Sequence, residues 1–169
     1  MQKKVFAILN KMITCYFEKG NKANNTSLRH AVVDVLVIKQ NKVLLEKRSE
    51  ELLEGGKWAL VGGFVEMDET VIDAVKRETF EETGYRVENI QMLTIRDNPD
   101  RPHEDRQNIS FVFFCHALEK EGKSDWEVDK QKWYAFDELP PRDEIAFDHY
   151  KNIELYLRYK ENNLTLPIL

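Results

Sequence analysis

Glu78, Glu81 and Glu82 stand at i, i+3 and i+4 in a segment with helical spacing, so their carboxylates leave one side of one turn. Like charges at these spacings cost about 0.2–0.5 kcal/mol per pair. The three also fall in the last turn before Gly84, where the helix dipole disfavours each anion by about a further 0.3–1 kcal/mol. Arg77 precedes Glu81 by four residues, the weaker order for such a pair. Carboxylates gathered where both effects oppose them predict that a positive group arrives from outside. A hard divalent cation matches, because Mg²⁺ takes carboxylate and water oxygens and stays open to phosphate. Gly62 and Gly63, just ahead of the helix, add backbone that can approach a ligand closely and lend a carbonyl. Stripped of that context, an ExxEE run is a solvated acidic face.

The elements that must position these groups are readable from pattern. Thr70 with Asp73 forms a capping box, Val71, Ala74 and Val75 give an apolar side, and Gly84 terminates, which predicts a helix over 70–83. Upstream, His30–Ile38 (HAVVDVLVI) reads as a strand with Asp34 its only internal charge, and Gln40-Asn41 turns it back into Val43-Leu44-Leu45. Residues 49–57 read as a loop, and Trp58–Val61 as a short strand broken by Gly62-Gly63. Further strands are predicted at Val87–Arg96, Asn108–Ala117 and Gln131–Phe136, with a polar stretch, 97–107, between the first two. Phe147-Asp148-His149 leads into a closing helix with Ile153, Tyr156 and Leu157 on one side. Strands interleaved with helices predict an α/β (α+β) sandwich. Before it, Val5, Ile8, Leu9, Met12, Ile13 and Tyr16 follow helical spacing, and GNKANNTS (20–27) reads as a linker. The expected division is an amphipathic helix and linker over 1–27 and one domain over 28–169.

Composition narrows the class. A chain of 169 residues buries roughly 70% of its unfolded surface and needs no disulfide or metal staple. With 42% hydrophobic residues, 7 glycines and 5 prolines, it is neither disordered nor collagen-like. A net charge of −5 argues against nonspecific nucleic-acid binding and against a polybasic membrane contact. Positive charge for an anionic ligand must therefore be local. Cys15 and Cys115 form no CxxC pair and no disulfide framework. Asn10 and Lys11 interrupt the apolar run at the N-terminus, and no segment approaches 18 apolar residues. A cytoplasmic protein without membrane or nucleic-acid partners is expected.

Residues 63–85, GFVEMDETVIDAVKRETFEETGY, resemble the Nudix box, G-x5-E-x7-R-E-U-x-E-E-x-G-U with U apolar. Gly63, Glu69, Arg77, Glu78, Glu81, Glu82 and Gly84 fill its fixed positions and Tyr85 its last apolar one. Thr79 departs from an aliphatic position, and Val61 stands where many members carry proline. The resemblance implies a mixed β-sheet sandwiched between helices over about residues 28–165. It implies hydrolysis of a nucleoside diphosphate linked to another group, with Mg²⁺ or Mn²⁺ as cofactor. Glu78, Glu81 and Glu82 would ligate the metal together with the Gly62 carbonyl. Arg77 would orient the carboxylates, and Glu69 would support the loop.

In such a reaction water attacks phosphorus in line, and a general base must reach it within ~3 Å or through one relay. Glu78 and Glu81 are candidates, and Glu104 in the 97–107 stretch is another, weighed evenly against a solvated loop acid. The wider pattern resembles the ADP-ribose pyrophosphatase-like branch: WALVGGFVEMDET, then Arg96 with Asp100-Arg101-Pro102, then Ile145–His149. That implies a small nucleotide substrate, ADP-ribose cleaved to AMP and ribose 5-phosphate. Arg48, Arg96, Arg101 and Arg106 are the local cations for its phosphates, each otherwise an ordinary surface arginine. Trp58, Phe64 and Tyr134 are aromatics for its base, each otherwise core. His103 and His149 read first as a loop and a helix-start residue, and only then as acid–base groups. Two other functions compete: hydrolysis of nucleoside triphosphates or dinucleoside polyphosphates, and a non-catalytic ligand-sensing regulator. Regulators often carry an eroded box and a DNA-binding module after it, whereas this box is complete and only a helix and the tail 162–169 remain. The unburied stripe from Val5 to Tyr16 points to a homodimer.

Overall fold

Runs of β-branched residues and two helices build a three-layer sandwich. The structure, a computed structural model, describes residues 29–103, 107–122 and 128–168. The helix expected over 3–18, the linker at 20–27 and Cys15 lie outside the described residues. So do Glu104 and Arg106.

The strands are β1 (Ala31–Lys39), β2 (Lys42–Arg48), β3 (Trp58–Ala59), β4 (Val61–Phe64), β5 (Tyr85–Arg96), β6 (Ile109–Lys120) and β7 (Val128–Ala135). The helices are α1 (Val71–Thr83) and α2 (His149–Asn162). The sheet runs β3-β2-β1-β6-β5, with β4 added on β1 and β7 on β2. Only β1 and β6 among these pairs run parallel; the rest are antiparallel. The β1–β2 hairpin closes on Gln40 and Asn41, both at positive φ (50° and 58°), with Lys39 opposite Lys42. Such a two-residue turn matches the twist of the strands it joins.

Alternation along β1 divides the core. Val33, Val35 and Val37 pack with Ala74 and Val75 of α1, while Leu36 and Ile38 pack with Ile153 and Tyr156 of α2. The helices thus cover opposite faces of the sheet. Cys115 is buried in the α1 side, which pushes its thiol up to about 12. Among the described residues no helix is long and apolar enough to cross a membrane.

The expected α1 is present with both halves of its capping box. The Thr70 hydroxyl accepts from the Asp73 amide at 3.2 Å, and the Thr70 amide donates to Asp73 Oδ2 at 3.4 Å. Gly84 ends the helix in the left-handed region at φ 75°. Thr70→Ala is expected to cost about 1 kcal/mol, seen as a melting midpoint lower by roughly 2–4 °C.

Strands β5 and β7 begin two and three residues before the expected positions, β6 ends three residues later, and one difference changes the reading of the site. The strand expected to run from Trp58 to Val61 breaks instead at Leu60, and Gly62-Gly63 lie inside β4. The reason is a change of neighbour: Ala59 pairs with Glu46 of β2, whereas Val61 pairs with Val35 of β1. The two glycines serve close approach, not interruption. A Cβ on Gly62 would meet the Val33 carbonyl oxygen at 2.0 Å.

Candidate active site

Helix α1 lies against β4 so that two of its acids meet the glycine pair. Glu82, 6% exposed, accepts the Gly62 N–H on Oε2 at 2.9 Å. Glu78 packs against Gly63 so tightly that a Cβ there would stand 2.3 Å from its Oε1. Glu81, one turn on from Glu78, is half exposed. From β7, Gln131 Nε2 donates to the Glu82 carbonyl at 2.6 Å and holds this end of the helix.

Arg77 organises the acids. Its Nη1 donates to Glu78 Oε1 at 2.8 Å and Glu81 Oε2 at 3.1 Å. Its Nε and Nη2 grip both oxygens of Glu69, at 3.0 and 2.7 Å, and Nη2 also reaches the Phe64 carbonyl at 2.9 Å. Glu69 in turn accepts the Glu66 amide at 2.7 Å, which ties the β4–α1 loop to the helix. Hydrogen bonds from Arg77 hold the Glu69 carboxyl below its ordinary range, and those to Glu69 and Glu78 raise the guanidinium in return. Arg77 therefore stays charged and draws Glu78 and Glu81 to one place beside Glu69.

The donor set consists of hard oxygens, which suits Mg²⁺ or Mn²⁺ and not a thiolate-seeking metal. Among the described residues no three histidine, cysteine or acidic side chains converge as a ready cation cage. Arg77 draws Glu78 and Glu81 to itself and Gly62 holds Glu82, so the carboxylates would turn from these partners to share an ion. Glu46, 3% exposed, is a further acid the sequence reading passed over. It lies two residues from Leu44, hence on the α1 face, opposite Gln131.

A second ionic cluster lies behind β4, on the α2 side. Asp34 Oδ2 accepts from Arg101 Nη2 at 2.9 Å and from the Ser110 hydroxyl at 2.6 Å. Arg101 Nε donates to Asp148 Oδ1 at 2.6 Å, and His149 Nε2 stands 3.3 Å from Asp34 Oδ1. Burial alone would push the Asp34 carboxyl up; His149, Arg101 and Ser110 together hold it below the usual carboxylate range. A depressed folded value means the ionic stabilisation is fully present above about pH 4 and is lost as pH falls further. The melting midpoint is expected to drop below that pH, with a shallower acid limb in Asp34→Asn. At neutral pH the same variant should lose about 3 kcal/mol, the low end for a broken buried pair, because Arg101 keeps Asp148. Thermal melts across the acid range check both.

Arg101 is consequently an interior residue, 7% exposed, and does not present its charge to a phosphate as the sequence reading expected. Arg48 Nε is bound to the Leu53 carbonyl at 2.9 Å, and its guanidinium lies over the Phe147 ring. Arg96 Nε donates to Asn152 Oδ1 at 3.0 Å. Trp58 packs edge-on against Tyr134, which is 7% exposed and part of the core. Phe64 is 42% exposed beside the acids, with its ring edge-on to that of His30. Arg29, missed in the sequence, clamps the polar stretch through the Asp97 and Gln107 carbonyls. No local pattern marks it.

This geometry has counterparts. The family model described as the NUDIX domain matches residues 28–156. Over 128 residues the chain is 38% identical to the ADP-ribose pyrophosphatase of Methanocaldococcus jannaschii, covering 76% of this chain and 73% of that one. Over 108 residues it is 30% identical to the NAD-capped RNA hydrolase NudC of Vibrio parahaemolyticus, 63% of this chain and 39% of that one. Among solved structures, a Nudix hydrolase from Nitrosomonas europaea matches with TM-score 0.68 at 26% identity, covering 92% of this chain and 84% of that one. The match runs from the start of β1 into α2 and takes in the acids that Arg77 gathers, so the chain belongs to the Nudix family of hydrolases.

Proposed function

We propose that the protein hydrolyses the pyrophosphate bond of ADP-ribose, or of a closely similar nucleotide sugar, with Mg²⁺ and with Mn²⁺ as its substitute. The observation that carries this reading is the Arg77-bound set of acids on α1 pressed against the bare backbone of β4. Similarity to an ADP-ribose pyrophosphatase over three quarters of the chain supports the substrate.

Nudix enzymes use divalent metal ions, and Glu78, Glu81, Glu82 and the Gly62 carbonyl would hold the ion here. When bound, it neutralises charge on the phosphate oxygens and favours attack by water. The chain's own groups do the rest. Arg77 holds Glu78 and Glu81 in position, and the Gly62 N–H fixes Glu82. Glu78 or Glu81 accepts the proton of the attacking water as the new phosphorus–oxygen bond forms and the bridging one breaks. AMP and ribose 5-phosphate leave as two phosphate monoesters.

A panel of ADP-ribose, NADH, dinucleoside tetraphosphate and oxidised dGTP, assayed by product identity, tests this. AMP and ribose 5-phosphate are expected from ADP-ribose with Mg²⁺, and EDTA should stop their release. Preference for the triphosphate would overturn the substrate, and no turnover of any member would overturn the enzyme reading.

A further inference from the structure

Leu60 is the residue at which the chain leaves β2 for β1. Ala59 before it pairs with Glu46, and Val61 after it pairs with Val35. Leu60 lies between the two ladders and is 2% exposed, so its N–H is buried at a crossing point. That N–H donates to His149 Nδ1 at 2.9 Å. A ring nitrogen that accepts carries no proton, so the imidazole proton sits on Nε2, facing Asp34 Oδ1 at 3.3 Å. The other Asp34 oxygen is engaged by Arg101 and Ser110. Asp34 is also the residue opposite Gly62 in the β1–β4 ladder.

The surroundings of His149 reinforce the grip. Ala146 N–H donates to the Trp58 carbonyl at 2.8 Å, and Ile145 bridges to Trp58. Phe147, with its ring 5.5 Å from that of His149, is held at φ 52°, a strained value for an aromatic residue. Residues 145–149 therefore hold 58–60 from the α2 side, while Glu82 holds Gly62 from the α1 side. Metal-site backbone is often fixed by partners that never touch the ion.

We propose that His149 is a positioning residue for the metal site. As a neutral imidazole pinned by Asp34, it fixes the Leu60 amide and thereby the Gly62 carbonyl two residues along. This rests on the hydrolase reading above, in which that carbonyl is a ligand. A histidine that merely fills the core would affect melting without affecting metal affinity.

Two variants separate these roles. His149→Asn and His149→Phe both lose the contact to Asp34, but the asparagine oxygen stands near the former Nδ1 and still accepts from Leu60. Mn²⁺ titration followed by electron paramagnetic resonance is expected to show His149→Phe weakened by about 10–100-fold, with His149→Asn close to the parent. The rate constant kcat at fixed Mn²⁺ should follow occupancy, with KM for substrate little changed. Equal Mn²⁺ affinity in the folded variants and the parent overturns the proposal. Should either variant fail to fold, the parent protein labelled with ¹⁵N answers the same question. Its His149 is expected as the neutral Nε2–H tautomer, and its Leu60 amide should shift on Mg²⁺ addition; an imidazolium, the other tautomer at neutral pH or an unmoved amide overturns it. A parent that takes up no Mn²⁺ sinks the hydrolase reading itself. One that binds Mn²⁺ and cleaves ADP-ribose, with affinity indifferent to residue 149, sinks only this inference.

Discussion

Glu82→Gln should give a folded protein in which metal-dependent turnover has nearly vanished. The side chain is 6% exposed, and its Oε2 accepts the Gly62 N–H at 2.9 Å. Glutamine has the same size and keeps one oxygen for that N–H, so the α1–β4 contact survives at a cost of about 1 kcal/mol. What it loses is a negative charge and one hard oxygen, replaced by an NH₂ group that donates and cannot ligate. Replacing groups that only support a metal ligand costs roughly 10–100-fold, so losing a ligand should exceed a hundredfold in kcat. Mn²⁺ affinity by calorimetry should fall in parallel while the circular dichroism spectrum stays the same. Parent-like turnover in this variant would remove Glu82 from the site. Glu81→Gln makes the useful comparison: that side chain is half exposed and its ion pair among the described residues is with Arg77, so its removal should hardly move melting.

What could be read from the sequence was what short-range chemistry decides. The Thr70–Asp73 box and Gly84 bracket α1 within fifteen residues, and the Gln40-Asn41 turn needs only its own two backbones. The acidic trio was legible for the same reason, since i, i+3 and i+4 positions meet on any helix. Arg77's hold on Glu69 crosses only eight positions, yet the sequence reading gave the two residues separate roles. Long-range contacts were not legible. Asp34 stood out as a charge in an apolar strand, but Arg101 lies 67 positions away and no spacing rule joins them. Arg101 consequently read as a phosphate ligand, when desolvated Asp34 and Asp148 claim it. Leu60 posed the same problem. Glycines look like strand breakers locally, yet the break belongs where the chain changes sheet neighbour, which only the assembled ladders decide. Thr79, at a position where the resemblance led us to expect an aliphatic residue, is fully buried in α1. Its hydroxyl has no partner among the described residues, so the departure is one of packing and leaves the acids in place.

The two glycines of β4 should fail in opposite ways when each is given a methyl group. In Gly63→Ala the new Cβ would stand 2.3 Å from Glu78 Oε1 and 2.5 Å from its Cδ. Those atoms end a flexible side chain, so Glu78 can swing aside and leave the backbone undisturbed. Swinging breaks its 2.8 Å bond to Arg77 and carries the carboxylate off its station. A displacement of that order costs about a hundredfold in rate. In Gly62→Ala the Cβ would meet the Val33 carbonyl oxygen at 2.0 Å, and that oxygen belongs to β1 itself. Nothing there can rotate away; β4 must separate from the strand it pairs with, and overpacking of this kind costs about 1–3 kcal/mol or more. At roughly 2–4 °C per kcal/mol for a chain of this size, the upper figure lowers the melting midpoint by about 6–12 °C. Calorimetric melting and kcat measured side by side should therefore show Gly63→Ala near the parent in stability and far below it in rate, with Gly62→Ala losing stability first. Were Gly63→Ala to keep its rate, Glu78 would not occupy a working position against β4. Were Gly62→Ala to melt like the parent, β1 and β4 would not approach as closely at the point where Glu82 binds the backbone.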